Sequence, residues 1–174
     1  DEANEYYLDL TSFGSASMIS EPAEDDFGDL EAVDYNTVPV DECFFDLDVR
    51  DKVTNFYRIL RWNLDQIHDK FGEKMPAELK ELMKRNDESS INRKYEIIYC
   101  IFKRPEVKKF DPWTVQAPEL RPYGSKYVLM KTGEVLGEEG GHHEMPVFFA
   151  KWRRVSGSQM GYSPSMIAIW DVLS

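Results

Sequence analysis

The chain places two of its three histidines side by side in the glycine-rich stretch GEEGGHHEMP, residues 137–146. Imidazole and carboxylate groups are common transition-metal ligands, so His142, His143 and Glu144 are the candidate metal ligands. Adjacent histidines follow neither an HExxH nor an HxxxH spacing, whereas a metal site needs several ligands held by rigid elements. The pattern therefore favours a polar turn between two strands. A metal-dependent enzyme that uses the His142/His143 loop is an alternative.

The two cysteines lie in settings that disfavour a nucleophilic thiolate. Cys43 lies among acids in DECFFDLD and Cys100 among apolar residues in EIIYCIF, and both environments raise a thiol pKa. The sequence has no GxSxG elbow and no phosphate-binding GxxxxGK[ST] or GxGxxG loop. We therefore expect a protein that is not an enzyme and that carries no cofactor and no metal.

Cysteine usage and hydropathy bear on the compartment. The two cysteines form neither a disulfide framework nor a CxxC metal clip, which favours a reducing, intracellular setting, cytoplasmic or nuclear. No run of about 18 apolar residues is present, and the start of the chain lacks a signal-peptide pattern. We therefore expect no transmembrane segment. The oligomeric state does not follow from the sequence.

Charge is divided unevenly along the 174 residues. The net charge is −11, yet residues 1–49 hold 15 acidic and no basic residues, so all 21 basic residues follow them. Hydrophobic clusters interrupt the acidic part, a composition typical of segments that dock apolar side chains on a partner. The candidate binding residues in this arm are its aromatic residues, Tyr6, Tyr7, Phe27, Phe44 and Phe45.

A second candidate binding surface lies in VFFAKWRRV, residues 147–155, where basic residues surround a tryptophan. Its candidate binding residues are Lys151, Trp152, Arg153 and Arg154. Basic and aromatic side chains on one strand can hold phosphates and stack bases, so nucleic acid or an anionic membrane surface is an alternative partner. The same charges also serve to keep a solvent-facing strand soluble.

Hydrophobic periodicity supplies the elements that must position these residues. It predicts helices over 51–71, 76–85 and 89–104, and strands over 125–131, 147–155 and 165–173. Val53, Phe56 and Leu60 illustrate the helical spacing, and the last strand, which is apolar on both faces except at Asp171, is expected to be central. Four prolines within 105–122 predict an extended connector.

These elements predict an α+β fold: about three helices packed on one face of a small antiparallel β-sheet, preceded by an acidic extended N-terminal arm. The expected division is an arm over 1–47 and a single domain over 48–174. Within the domain we expect a helical half at 48–104, a proline-rich connector at 105–124 and a β half at 125–174. The predicted function is a non-enzymatic interaction module that binds another protein through the arm and the basic, aromatic sheet surface. The alternative is an assembly or matrix-like protein that binds nucleic acid or an anionic membrane.

Overall fold

The computed structural model describes residues 2–24, 30–50, 52–85, 88–105 and 117–173. The chain divides into two compact units: the first unit comprises Asp1–Thr54 and Pro146–Ser174, and the second unit comprises Asn55–Met145. The predicted division at residue 47 stays a prediction. In the structure, residues from both ends of the chain build the first unit, and the second unit is one continuous segment between them.

The described residues form five α-helices and eight β-strands. In chain order these are α1 (Glu2–Phe13), β1 (Ser15–Glu24), β2 (Leu30–Val38), β3 (Cys43–Leu47), β4 (Val53–Trp62), α2 (Leu64–Phe71), α3 (Ala77–Arg85), α4 (Glu88–Ile91), β5 (Tyr95–Lys103), β6 (Tyr123–Leu129), β7 (Val135–His142), β8 (Val147–Lys151) and α5 (Pro164–Leu173). The predicted mixture of α and β structure with antiparallel pairing is confirmed. The described residues contain more helices than the three predicted, and two sheets rather than one.

In the first unit, an antiparallel sheet has the strand order β2–β1–β8. Ser17 on the central strand lies opposite Val38 on one side and Phe149 on the other. Its hydroxyl donates to the Val38 carbonyl at 3.0 Å, so this buried polar side chain is satisfied inside the sheet. Strand β8 is far from β1 in sequence, and the sheet is therefore completed only by long-range pairing.

Helix α1 replaces the extended arm expected from the acidic composition. Glu2 and Glu5 lie in its first turn, where carboxylates favour the positive end of the helix dipole. The helix ends at Gly14, whose φ of 77° suits a left-handed C-terminal residue, and the Gly14 amide donates to the Leu10 carbonyl. The extended N-terminal arm is thus not confirmed.

In the second unit, strands β4 to β7 are neighbours in chain order and all pair antiparallel. Leu60, Ile97 and Leu129 lie opposite one another across three strands and are all buried. The same face carries Tyr99 stacked on Tyr127, with ring centroids 4.4 Å apart, and Phe71 of α2 packs edge-on against Tyr127. This face of the sheet, covered by α2, forms the core of the second unit.

The segment 51–71, predicted as one helix, is instead β4 followed by α2. Its aromatic and β-branched residues fit a strand as well as a helix, so periodicity alone misassigned it. The decisive signal is Asn63: its side chain accepts from the Gln66 amide, and the Gln66 side chain accepts from the Asn63 amide. This capping box begins α2 at Leu64 and excludes one continuous helix across 51–71, while residues 55–62 pair with β5 as a strand.

Two further predicted elements are wrong in type. The segment 89–104 is mainly strand β5, since only Glu88–Ile91 is helical before Tyr95. The segment 165–173 is helix α5 rather than a central strand, because the Ser163 hydroxyl accepts from the Met166 amide at 2.9 Å and Pro164 occupies the first helical position.

The remaining predictions agree more closely with the structure. Helix α3 and strands β6 and β8 confirm the helix predicted over 76–85 and the strands predicted to begin near 125 and 147. The proline-rich connector lies mostly at 106–116, outside the described residues.

Candidate interaction surfaces

The candidate aromatic residues of the predicted arm occupy different environments. Tyr7 on α1 and Phe44 on β3 are 63% and 55% exposed, so both present large apolar surfaces to solvent. Tyr6 is half-buried, and its burial, followed by the charge of Tyr7, raises the pKa of its phenol. Phe45 points to the opposite side of β3 from Phe44 and packs on the ring of Phe149. Phe27 lies outside the described residues.

The basic and aromatic residues of the second candidate surface follow one another at the end of β8. Lys151 has its Nζ 6.0 Å from the centroid of the Phe149 ring and 3.4 Å from the Ser158 carbonyl oxygen. Trp152, just beyond the strand, is 52% exposed, and its amide donates to the Gly14 carbonyl at 2.9 Å. Arg153 and Arg154 are exposed as well. The structure therefore brings Phe45, Phe149 and Lys151 together as one stack.

Sequence reasoning missed the exposed apolar side chains of the first unit. Of the 17 exposed large apolar residues in the described part of the chain, 14 belong to the first unit and three to the second. Those of the first unit are Tyr7, Leu8, Phe13, Val33, Tyr35, Phe44, Val49, Phe148, Trp152, Val155, Ile167, Ile169, Val172 and Leu173. Such a concentration on one unit marks it as an interaction surface.

The buried apolar residues show the reverse distribution. Among the described residues, five of the 16 core residues lie in the first unit and eleven in the second. The first unit also buries Ser15, Ser17 and Ser163, side chains that contribute little apolar area. The first unit thus has a small core and much exposed apolar area, which is typical of a part that gains stability by contact with other molecules.

Part of the exposed apolar area lies on one face of the first sheet. Phe148 pairs with Met18, and Tyr35 pairs with Ser20 two residues further along the same face of β1. Because side chains alternate along a strand, Val33 shares this face with Tyr35. The three apolar side chains Val33, Tyr35 and Phe148 are each about half exposed, so this face presents an apolar surface to solvent.

Helix α5 contributes a second part. Its sequence PSMIAIWDVL holds one charged residue, Asp171, and Ile167, Ile169 and Val172 are exposed. Soluble surface helices normally carry charged residues on the side away from the core. A helix that is apolar on all sides indicates burial against a further surface. The sequence contains this signal, but the same apolar residues also fit the predicted strand.

The paired histidines do not form a metal site with other described residues. His142 is the last residue of β7 and lies opposite Tyr123, so residues 137–142 are strand rather than the expected turn. Its Nε2 is buried and has no hydrogen-bond partner within the described ranges. Burial, followed by the charge of Arg121, lowers the pKa of His142. Within the described part of the chain, no three histidine, cysteine or acidic residues are close enough together to hold a metal ion.

Arg104 and Lys126 of the second unit both pair with Glu139 on β7, the edge strand of the sheet. Arg104 forms an ion pair with Glu139 and donates to the carbonyls of Pro118 and Arg121, at 2.9 and 2.6 Å. Lys126 binds the other carboxylate oxygen of Glu139 at 2.8 Å. The hydrogen bonds from Arg104 and then Lys126 hold the pKa of Glu139 below its ordinary value. Both cations therefore already have Glu139 as a partner within the second unit.

The expectation that the surroundings of Cys100 disfavour its thiolate is confirmed. The residue lies on β5 and is half-buried, and burial raises the pKa of its thiol despite the nearby Lys126 ammonium. A raised thiol pKa disfavours the thiolate, which is the nucleophilic form.

Comparison with known families supplies the context for these surfaces. The model of the bacteriophage head to tail connecting protein family matches residues 1–174, the whole chain. The chain belongs to this family. The family description is that of a structural protein of phage assembly rather than an enzyme, and it implies binding to other phage proteins.

Two further observations accompany the family assignment. The search of curated proteins found no match to this chain. Among its described residues, no helix is long and apolar enough to cross a membrane.

Proposed function

We propose that this protein is a structural assembly component that binds neighbouring phage proteins through the exposed apolar surface of its first unit. The observation that carries this proposal is the division of apolar residues between the units: the first unit exposes most of the large apolar side chains and buries few. Burial contributes about 25 cal/mol for each Å² of apolar surface removed from water, so contacts at this surface are favourable.

The residues that form this assembly surface are Tyr7 on α1, Phe44 on β3, Trp152 after β8, the exposed face with Val33, Tyr35 and Phe148, and the outer side of α5. Tyrosine and tryptophan supply large contact areas at low cost in side-chain entropy, and they recur among residues that dominate binding energies. Phe45 is assigned to packing against Phe149 rather than to a partner. Polyanion binding by Lys151, Arg153 and Arg154 stays a prediction from the sequence.

A matched pair of variants tests the proposal. Val33 in the first unit and Val135 in the second are both strand residues that are 47% exposed. The substitution Val33→Lys places a charge in the proposed interface, whereas Val135→Lys makes the same chemical change outside it. Phage that lack the native gene would be supplied with each variant, and particles with heads joined to tails would be counted by electron microscopy.

We expect Val33→Lys to lower the yield of joined particles about tenfold or more, since a buried unpaired charge costs more than the 1.4 kcal/mol that a tenfold change represents. Circular dichroism checks that both variants fold. Equal yields for the two variants would show that the apolar surface of the first unit does not mediate assembly.

A further inference from the structure

The second unit contains a groove of about 580 Å³, separate from the surface assigned to assembly. Its walls are the side of α3 that carries Leu79 and Leu82, the segment from α4 to the start of β5, and the turn that follows β6. The Met130 amide of that turn donates to the Glu96 carbonyl at 3.0 Å, which fixes the turn against β5. The volume is in the range of grooves that bind several side chains of a ligand.

The floor of the groove is apolar. Leu79 and Leu129 are buried beneath it, Leu82 is half-buried, and Met130 is 45% exposed. Methionine has an unbranched, polarisable side chain that adapts to differently shaped apolar partners. The floor therefore fits an apolar anchor residue.

The rim of the groove is positively charged. It holds four basic residues, Arg61, Arg93, Lys94 and Lys131, against two acidic residues, Glu78 and Glu96. Both acids are already paired: Glu96 with Arg61 at 3.4 Å, and Glu78 with Lys131 at 3.6 Å. Neither Arg93 nor Lys94 has an ion-pair partner among the residues that the structure describes, so two positive charges at the rim are left for a ligand.

We propose that this groove binds an acidic peptide segment of a partner protein, with a large apolar side chain on the floor and carboxylates at Arg93 and Lys94. Charge complementarity selects the acidic segment, and the apolar floor selects the anchor. The apolar floor suits an apolar side chain and offers no hydrogen-bonding partner to a phosphate, which favours an acidic peptide over nucleic acid as the occupant.

A labelled peptide with the sequence of residues 24–33 of this chain, EDDFGDLEAV, serves as a model acidic segment, because it places five carboxylates around a phenylalanine and a leucine. Its binding to the full chain would be followed by fluorescence anisotropy at low salt, together with NMR shifts of the Met130 and Leu82 methyl groups. The test variant is Arg93→Gln with Lys94→Gln. The matched control, Lys84→Gln with Arg85→Gln, removes an adjacent, exposed basic pair on α3 that does not line the groove.

We expect saturable binding that the test variant weakens about fivefold or more and the control leaves unchanged, since two exposed ion pairs together make a modest contribution to affinity. The probe should shift the Met130 and Leu82 methyl signals, and a peptide with asparagine and glutamine in place of its acids should not bind.

Three results would overturn the proposal: no saturable binding at millimolar peptide, equal weakening by both variants, or displacement of the peptide by a single-stranded oligonucleotide that itself shifts the same methyl groups. None of them bears on the Val33→Lys experiment, which concerns the other unit.

Discussion

Two glycines make one of the tightest contacts of the first unit. A Cβ atom on Gly161 would lie 1.9 Å from the Gly14 carbonyl oxygen, and one on Gly14 would lie 2.6 Å from the Gly161 carbonyl oxygen. The Gly161 amide also donates to the buried Ser15 hydroxyl at 2.7 Å. Only glycine lets the turn after α1 approach the segment before α5 this closely.

The substitution Gly161→Ala should therefore destabilise the first unit by about 1–3 kcal/mol, the usual cost of overpacking a core. Urea unfolding, monitored by the fluorescence of the aromatic residues, measures the change. Gly157→Ala is the control: unlike Gly161, Gly157 has a positive φ, 79°, so the substitution strains the backbone there, but no atom lies within 4 Å of the added methyl group. A loss for Gly161→Ala no larger than that for Gly157→Ala would contradict this account.

His142 should make stability depend on pH. Its folded-state pKa lies below the ordinary value of 6.5, so the unfolded chain binds a proton more readily than the folded chain. Stability should thus fall as the pH drops below about 6.5 and recover as the pH rises. Unfolding by urea at pH 7.0 and 5.5 tests this.

The variant His142→Phe removes the titrating group and should flatten the dependence between these two pH values. An unchanged slope in the variant would show that His142 is not responsible. Glu139 does not interfere in this window, because its pKa is lowered from 4.5 and its contribution is lost only at more acidic pH.

At the scale of single elements, the sheet edge of the second unit depends on Arg104. Its side chain is 13% exposed and donates to three backbone carbonyls, those of Pro118, Arg121 and Gly140, as well as to the Glu139 carboxylate. Removing Arg104 would leave its backbone carbonyl acceptors unsatisfied and Lys126 as the remaining ion-pair partner of Glu139.

We expect Arg104→Met to lower the free energy of unfolding by about 2–4 kcal/mol, measured by urea titration at pH 7. The control is Lys74→Met, which removes a more exposed ion pair with Glu138 and should cost about 0.5 kcal/mol or less. Since Arg104 and Lys126 lower the pKa of Glu139, the stabilisation by the pair should also disappear as the pH falls below about 4.5. Similar losses for both variants at pH 7 would count against this role for Arg104.

The elements that could be predicted from the sequence are those with a single strong signal. Helix α3 combines a proline at its start with one apolar side, and β6 and β8 alternate clearly. Strands β4 and β5 were misassigned because Tyr, Phe and Ile occur so densely there that helical spacing arises by coincidence. Local capping at Asn63 and Ser163 would have corrected two of the errors, since a cap fixes where a helix begins regardless of periodicity.

The candidate sites were only partly predictable, for a different reason. Composition identified Tyr7, Phe44 and Trp152 as aromatic residues in charged surroundings, but side-chain exposure depends on strand pairing distant in sequence. Phe44 and Phe45 are neighbours in sequence, yet one faces solvent and the other packs on Phe149. The groove of the second unit draws on five separate elements, and no local pattern reveals such an arrangement.

At the scale of the whole molecule, a substitution that destabilises one unit should leave the other unit folded. The contacts of Gly161 lie within the first unit, and the core of the second unit is formed by its own residues. Hydrogen exchange in Gly161→Ala should therefore accelerate at amides of β1 and β8 while amides of β5 and β6 keep their protection. Equal acceleration in all four strands would indicate that the units unfold together.

The discontinuous first unit also imposes an order on biosynthesis. Every residue of the second unit emerges from the ribosome before Val147 does, so the nascent chain can begin to fold that segment while β1 still lacks its partner β8. Until then β1 has an open edge that can pair wrongly with other strands. Translation speed through the residues after 145 should thus influence how much of the protein aggregates.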